Sequence, residues 1–434
     1  MRSNLVAFAL LAFAADARAQ QDSIGSLGEA LQIARAASES SDWNTARSAL
    51  RAALRFSPNN PTVLYSLARA EARAGDGAAA VGLLDRLARQ GAVRTVAEDS
   101  AFASLVGSRA FRRVAARMAS AAAPIVRSDT AFVLPDPDFL PEGIAWDPAD
   151  GAFYVGSLSG RGIVRVIGDS VAPWLRGDSA RPGQILGLRV DLPRRRLWVA
   201  SLVPDSAAPR FFRGTGGWAA LEAYQLPTGR LLGRWMPDSS GPHLLNDIAV
   251  TAAGDVFVTD SEGGALYRLR GGDGALGRVY DDPARFTYPN GIAVSADGTR
   301  LYVAHWEGLS RFDLAPGGRA GLQRVPAAPG IATTGVDGLY ACRDGLVAVQ
   351  YLLDFPQITN LVLSGDGQSV ADARALERRH PAQTGPTTGA LAAGGFYYIA
   401  NAQLERLGAD QSVSSGPGER SVVLRLPLAG SCSG

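Results

Sequence analysis

The sequence predicts a mainly β chain, a six-bladed β-propeller preceded by an N-terminal α-helical domain. One pattern carries the prediction: an apolar segment, a polar turn and a second apolar strand ending in Val or Ile. It is written six times, as GIAWDPADGAFYVGS, GLRVDLPRRRLWVAS, DIAVTAAGDVFVTD, GIAVSADGTRLYVAH, GLYACRDGLVAVQY and ALAAGGFYYIAN. Short strands, Gly/Asp turns and a period in the forties are the signature of propeller blades. Ahead of the copies, Ala-, Leu- and Arg-rich stretches from about Ser26 to Ala122 place apolar residues at the three- and four-residue spacing of helices. The 434 residues are ample for both domains and a large core.

Taken in order, the chain opens as a leader. Met1-Arg2 is a short positive region, Leu5 to Ala15 is apolar, and Ala17-Arg18-Ala19 fits an A-x-A cleavage site before Gln20. Residues 1–19 therefore read as a signal peptide, and the mature protein is expected to be exported, periplasmic or secreted. The apolar run is too short to span a bilayer, and no other segment approaches a span. No Cys follows the cleavage point, so no lipid anchor is expected there.

Residues 20–122 form the helical domain. A shift of 34 superimposes Asp42 on Asp76, Ala46 on Ala80 and Leu50 on Leu84. The run SPNNPTVLYSLARAEARAGDGAAAVGLLDRLARQG resembles a tetratricopeptide unit, with Pro58 closing one helical pair and Gly75-Asp76 in the next turn. Trp43 departs from the pattern, falling in the turn before a helix. Phe102 to Met118 supplies a capping helix. Such arrays bind peptides or pack on a neighbour, so the resemblance implies a docking surface for a protein partner. The propeller occupies 125–434. Its last blade lacks an outer strand after VVLRLPL, and Thr130 to Leu134 can supply it, closing the ring from both ends of the domain.

The residue before each copy occupies one equivalent position per blade: Glu142, Leu186, Asn246, Asn290, Asp337 and Thr388. All six should crowd the central channel at the start of the innermost strands. Acids and amides there are costly unless partnered, and a hard cation removes that cost. Oxygen donors with two carboxylates and no His or Cys suit Ca²⁺ better than Zn²⁺, with Zn²⁺ or Mn²⁺ as the alternative ions. Asn-Gly and Asp-Gly pairs also form turns, which accounts for Asn290-Gly291 and Asp337-Gly338 but poorly for Glu142 after Pro141.

The ordered runs L-P-E-G-I-A, L-N-D-I-A-V, Y-P-N-G-I-A-V-S-A-D-G-T-R-L-Y-V-A and V-D-G-L resemble the senescence-marker-protein/gluconolactonase family of six-bladed propellers, relatives of paraoxonases and strictosidine-synthase-like proteins. The likeness covers roughly residues 125–430. It implies one divalent metal held by Glu142, Asp337 and one of Asn246 and Asn290, with the remaining Asn at the metal or the substrate, and hydrolysis of a small-molecule lactone or ester. Asp337, or His305, would then activate water. Where the gluconolactonase branch carries a sugar-contacting Arg, two residues before the Asn-Asp pair, this chain has Leu244.

A second ring, two residues beyond each second-strand Val or Ile, comprises Ser157, Ser201, Asp260, His305, Tyr351 and Asn401. It is expected to line the mouth of the pocket. Asp260, Tyr351 and the nearby His243 are candidate substrate contacts, and His305 a candidate acid or base. His305 equally fits a solvated strand end beside Trp306. The long segment after blade 2 includes Arg210, Phe212 and Trp218, which fit either a lid that recognises substrate or a surface insertion.

Composition excludes other classes. The net charge of +2 argues against nucleic acid. All 43 basic side chains are Arg, so Schiff-base chemistry and a P-loop lysine are ruled out. No G-x-S-x-G elbow occurs. Cys342 and Cys432 are a candidate disulfide in an exported chain. Two functions remain from the sequence: a metal-dependent lactonase or esterase, and a non-catalytic propeller binding a ligand or partner.

Overall fold

The computed structural model describes residues 24–428 apart from 161, 177–183, 205–216, 238–240, 273, 316, 318–320, 353–354, 393, 409–412 and 415–417. It divides into two compact units, a helical one of residues up to Ala123 that also takes in Pro329–Thr334, and a β one from Pro124 onward. No helix among the described residues is long and apolar enough to cross a membrane.

The helical unit contains α1 (Leu27–Glu39), α2 (Trp43–Phe56), α3 (Pro61–Arg73), α4 (Gly77–Arg89) and α5 (Arg109–Ala121). The 34-residue echo has a structural cause. Asp42 and Asp76 cap α2 and α4, accepting from the Thr45 and Ala79 N–H groups at 3.1 and 2.9 Å. Ala46, Ala80, Leu50 and Leu84 are all buried one or two turns later. Asn60 caps α3, with Pro61 at its first position. Trp43 is the first residue of α2, not a turn residue. The capping helix expected over 102–118 is interrupted: a 3-10 turn spans Ser100–Leu105, and α5 starts afresh where the Ser108 hydroxyl accepts from the Phe111 N–H.

The β unit is a ring of six four-stranded antiparallel sheets, with strands β1 to β24 in chain order. The innermost strands are β2 (Pro141–Asp147), β6 (Gln184–Asp191), β10 (Leu245–Val250), β14 (Ile292–Val294), β18 (Val336–Cys342) and β22 (Gly389–Ala392). Each packs on the next, and β22 returns to β2. The last sheet runs β22, β23 (Gly395–Ile399), β24 (Val422–Pro427), β1 (Asp129–Val133). The ring is thus closed by a strand within a residue of the expected one, with Phe132 opposite Val423 and buried against Ile399.

Two backbone features shape the channel. The residue after each equivalent position is Gly in five blades, because no side chain fits there. A Cβ at Gly143 would lie 2.0 Å from the Leu186 carbonyl oxygen, at Gly187 2.2 Å from that of Asn246, and at Gly291 2.4 Å from that of Asp337. These glycines serve close approach between blades, not turns. Four inner strands also bulge at this point: Glu142-Gly143, Leu186-Gly187, Asn246-Asp247 and Asp337-Gly338 each oppose a single residue on the next strand. A bulge re-aims the side chain that carries it.

Candidate metal and substrate site

Glu142, Asn246, Asn290 and Asp337 come together around one cavity of about 280 Å³ in the β unit. The chain enters two of these positions through left-handed backbone, Leu140 at φ 41° and Tyr288 at φ 52°, each followed by Pro. For bulky L-residues that conformation costs roughly 1–2 kcal/mol and gathers at functional sites. Of the other two equivalent positions, Leu186 lines the cavity with an apolar side chain. The Thr388 hydroxyl donates instead to the Glu142 carbonyl.

The hydrogen bonds of the two amides run through their nitrogens. Asn290 Nδ2 donates to Asp337 Oδ1 at 2.7 Å. Asn246 Nδ2 donates to Ser261 Oγ at 3.0 Å, and Ser261 in turn donates to the Pro289 carbonyl at 2.7 Å. With both amide nitrogens held by protein, the amide oxygens remain. Glu142 Oε2 and Asn290 Oδ1 are buried without a hydrogen-bond partner among the described residues.

Asp247 is a third buried acid here, missed by sequence reasoning because it was read only as half of an Asn-Asp pair. It stands where the other blades have Gly. Its carboxylate accepts from the Ile248 and Ile292 N–H groups at 2.8 and 3.1 Å, tying β10 to β14, with Arg189 3.9 Å away.

Burial dominates the electrostatics. It pushes the Glu142 carboxyl well above the ordinary range, and the neighbouring Asp337 and Asp247 push it further. Asp337 rises to about 7 through burial, opposed by its Asn290 hydrogen bond and reinforced by Asp247. Asp247 is also raised by burial, against the pull of Arg189. Three acids thus share a site poor in positive charge. Two carboxylates and two amide oxygens, with two oxygens unpartnered, fit a hard divalent cation such as Ca²⁺. No group of three or more His, Cys, Asp or Glu gathers for a metal among the described residues, so the donor set depends on the two amides.

The second ring differs from its expectation as a polar mouth, because its polar atoms are bound to protein. His305 lines the cavity, but Nδ1 donates to Glu307 at 2.7 Å and Nε2 accepts from the Ser310 hydroxyl at 2.8 Å. Burial lowers the His305 pKa despite Glu307, keeping the imidazole neutral. Ser310, His305 and Glu307 follow the hydrogen-bond order of a serine-hydrolase triad. Ser310 is fully buried, however, and His305 has no nitrogen free for water or substrate. Asp260 is likewise buried, accepting from the Leu244 and Gly263 N–H groups at 2.9 and 3.0 Å and pairing with His243 Nδ1 at 2.5 Å. Both residues organise a loop. Tyr351 lines the cavity but donates its hydroxyl to the Pro386 carbonyl at 2.6 Å. Ser157, Ser201 and Asn401 bond to neighbouring backbone.

Arg210 and Phe212 lie outside the described residues, as do the Trp218 side chain and Cys432. Cys342 is disulfide-bonded, in a chain of two cysteines.

Residues 37–105 match the tetratricopeptide repeat family model. The matched tetratricopeptide segment lies within the helical unit. No curated protein sequence matches the chain. Among solved structures the propeller is similar, at low identity, to a gluconolactonase from Xanthomonas campestris (18% identity, TM-score 0.44, covering 70% of this chain and 98% of that one). It is also similar to the calcium-binding protein regucalcin from Agrobacterium tumefaciens (17%, 0.44, 68% and 93%). A third is virginiamycin B lyase from Staphylococcus aureus (15%, 0.43, 61% and 79%).

Tyr288 and Trp306 also line the cavity and were not singled out in the sequence as contacts. Their signal was positional: Tyr288 lies two residues before Asn290, and Trp306 directly follows His305.

Proposed function

We propose that the protein is an exported, metal-dependent hydrolase of a lactone or ester, acting at the ring of Glu142, Asn246, Asn290 and Asp337. The observation that carries this reading is the pair of buried, unpartnered oxygens on Glu142 and Asn290, residues that line one cavity together with Asp337. A divalent cation bound there would offset the buried charge and polarise the substrate carbonyl. Glu142, Asn290 and Asp337 would hold it, with Asn246 at the metal or the substrate.

The chain's own residues supply the rest. The hydrogen bond from Asn290 fixes the Asp337 carboxylate beside the cavity, where it can accept a proton from water. Water adds to the carbonyl carbon as its proton passes to Asp337. The bond to the leaving oxygen then breaks, and Asp337 returns the proton to that oxygen. The products are a carboxylic acid and an alcohol, joined as a hydroxy acid when the substrate is a lactone. His305 is not the base, since both its nitrogens are engaged.

The disulfide at Cys342 supports an oxidising compartment, in line with the leader at 1–19. The tetratricopeptide repeat supports docking of a protein partner through the helical unit. The hydrolase reading is tested by assaying the mature protein, with and without Ca²⁺, on a panel of lactones and aryl esters beside Asp337→Asn. Turnover that needs both the cation and Asp337 is expected. A metal-loaded protein silent across the panel would leave a binding propeller.

A further inference from the structure

We infer that the cavity takes a substrate with a flat, aromatic body, such as an aryl ester or a lactone fused to an aromatic ring, in place of a polyhydroxylated one. The inference rests on the hydrolase reading for the reaction and on the cavity walls for the substrate.

The polar groups of the site are confined to one set of positions at the strand starts. Around them the walls are Leu158, Leu186, Leu244 and Leu404 with the rings of Tyr288 and Trp306. The four leucines offer no donor or acceptor to a substrate hydroxyl. Two of the wall residues that could do so are engaged elsewhere: Tyr351 donates to Pro386, and both His305 nitrogens are bonded to Glu307 and Ser310. A polyhydroxylated body would exchange water for hydrocarbon at several hydroxyls, which is unfavourable at each. An apolar body loses nothing there and removes leucine surface from water.

Shape points the same way. Trp306 is 50% exposed, unusual for the largest apolar side chain, yet it lines the cavity. Its ring lies 5.7 Å from that of Tyr288, at 31°. The two form a broad aromatic wall beside the positions that would hold the carbonyl. Aromatic side chains of this kind supply contact area with little freedom to lose, and they favour a planar partner. Size is adequate, because a cavity of about 150 Å³ already admits benzene and this one is about 280 Å³.

The test compares dihydrocoumarin, a lactone fused to benzene, with glucono-δ-lactone on the full mature protein in Ca²⁺. It is paired with a fluorescence titration using 3-(2-hydroxyphenyl)propionate, the ring-opened product of the former. The expected result is a kcat/KM about 100-fold higher for dihydrocoumarin, the range a mismatched pocket commands. Trp306→Ala should raise KM for dihydrocoumarin about 10-fold, well beyond any fall in kcat, and Trp306→Phe should restore most of the loss. The aromatic acid should quench fluorescence in the wild type and do so much less in Trp306→Ala. Quenching without turnover of either lactone would sink the hydrolase reading and leave the aromatic pocket standing. Equal or faster turnover of glucono-δ-lactone would overturn the inference while the hydrolase stood. A Trp306→Ala variant that folds and keeps its KM and its quenching would overturn it as well.

Discussion

Glu142 is held where a carboxylate is unfavourable: buried, beside Asp337 and Asp247, with one oxygen unpartnered. Such an arrangement trades stability for function. Glu142→Gln should therefore raise the melting temperature of the metal-free protein by a few degrees at neutral pH, while removing the gain that Ca²⁺ gives the wild type; scanning calorimetry in chelator and in Ca²⁺ checks both. His305 makes a pH prediction. Its pKa is lowered in the folded state from the ordinary 6.5, chiefly by burial, so the unfolded chain binds the proton first. The stability due to the neutral imidazole is full above 6.5 and lost as pH falls through it. Glu307 acts in the same sense lower down: burial would raise its pKa, but the hydrogen bonds with His305 and Thr287 outweigh that and lower it. The raised acids Glu142, Asp337 and Asp247 work in the opposite sense, so the readout is a difference. From about pH 7 toward 5.5 the wild type should lose thermal stability relative to His305→Gln, which should be the less stable of the two at pH 7. At this scale the sequence was legible where residue type alone decides. Glu142 and Asp337 stand out as acids in a register of apolar strands. The role of His305 was not legible, because it depends on Ser310 across a strand pair and Glu307 across a turn.

The elements were legible wherever one periodicity persisted. The closing strand β1 followed from a missing edge, and the caps Asp42 and Asp76 from their 34-residue spacing. The bulges at Glu142, Asn246 and Asp337 left no mark in a hydrophobic pattern, since one inserted residue is hidden inside a short strand. The break before α5 was masked because FASLVGSRAFRRVAARM is apolar at helical spacing on both sides of Gly107-Ser108. Phe132 gives the test at this scale. It joins the closing strand to the core beside Ile399 and Val423 and is 7% exposed. Phe132→Ala should cost about 3–5 kcal/mol, as buried Phe truncations do, read from urea unfolding of the full chain.

For the whole molecule, the consequence of closure by β1 is that the last blade is completed by a strand from the other end of the β unit. The ring stays closed only if residues 129–133 reach β24, 296 residues away by the register Asp129–Arg425. A chain truncated to begin after Leu134 would expose the β24 edge, and light scattering should show it self-associating, as unpaired strand edges do. The ring also explains why the candidate site was readable without contacts: equivalent positions in six blades share one axis, so Glu142, Asn246, Asn290 and Asp337 had to meet. Asp247 escaped notice for the complementary reason. It occupies the one blade where the axial Gly is replaced, and only the packed ring shows why Gly was needed elsewhere.

The most direct test is calorimetric titration of Ca²⁺ into the mature protein, with Glu142→Gln and Asp337→Asn alongside. One bound ion in the wild type and none in either folded variant is the result expected of an axial oxygen site. Absence of binding by the wild type, with Zn²⁺ and Mn²⁺ equally silent, would contradict it and leave the buried acids without their cation.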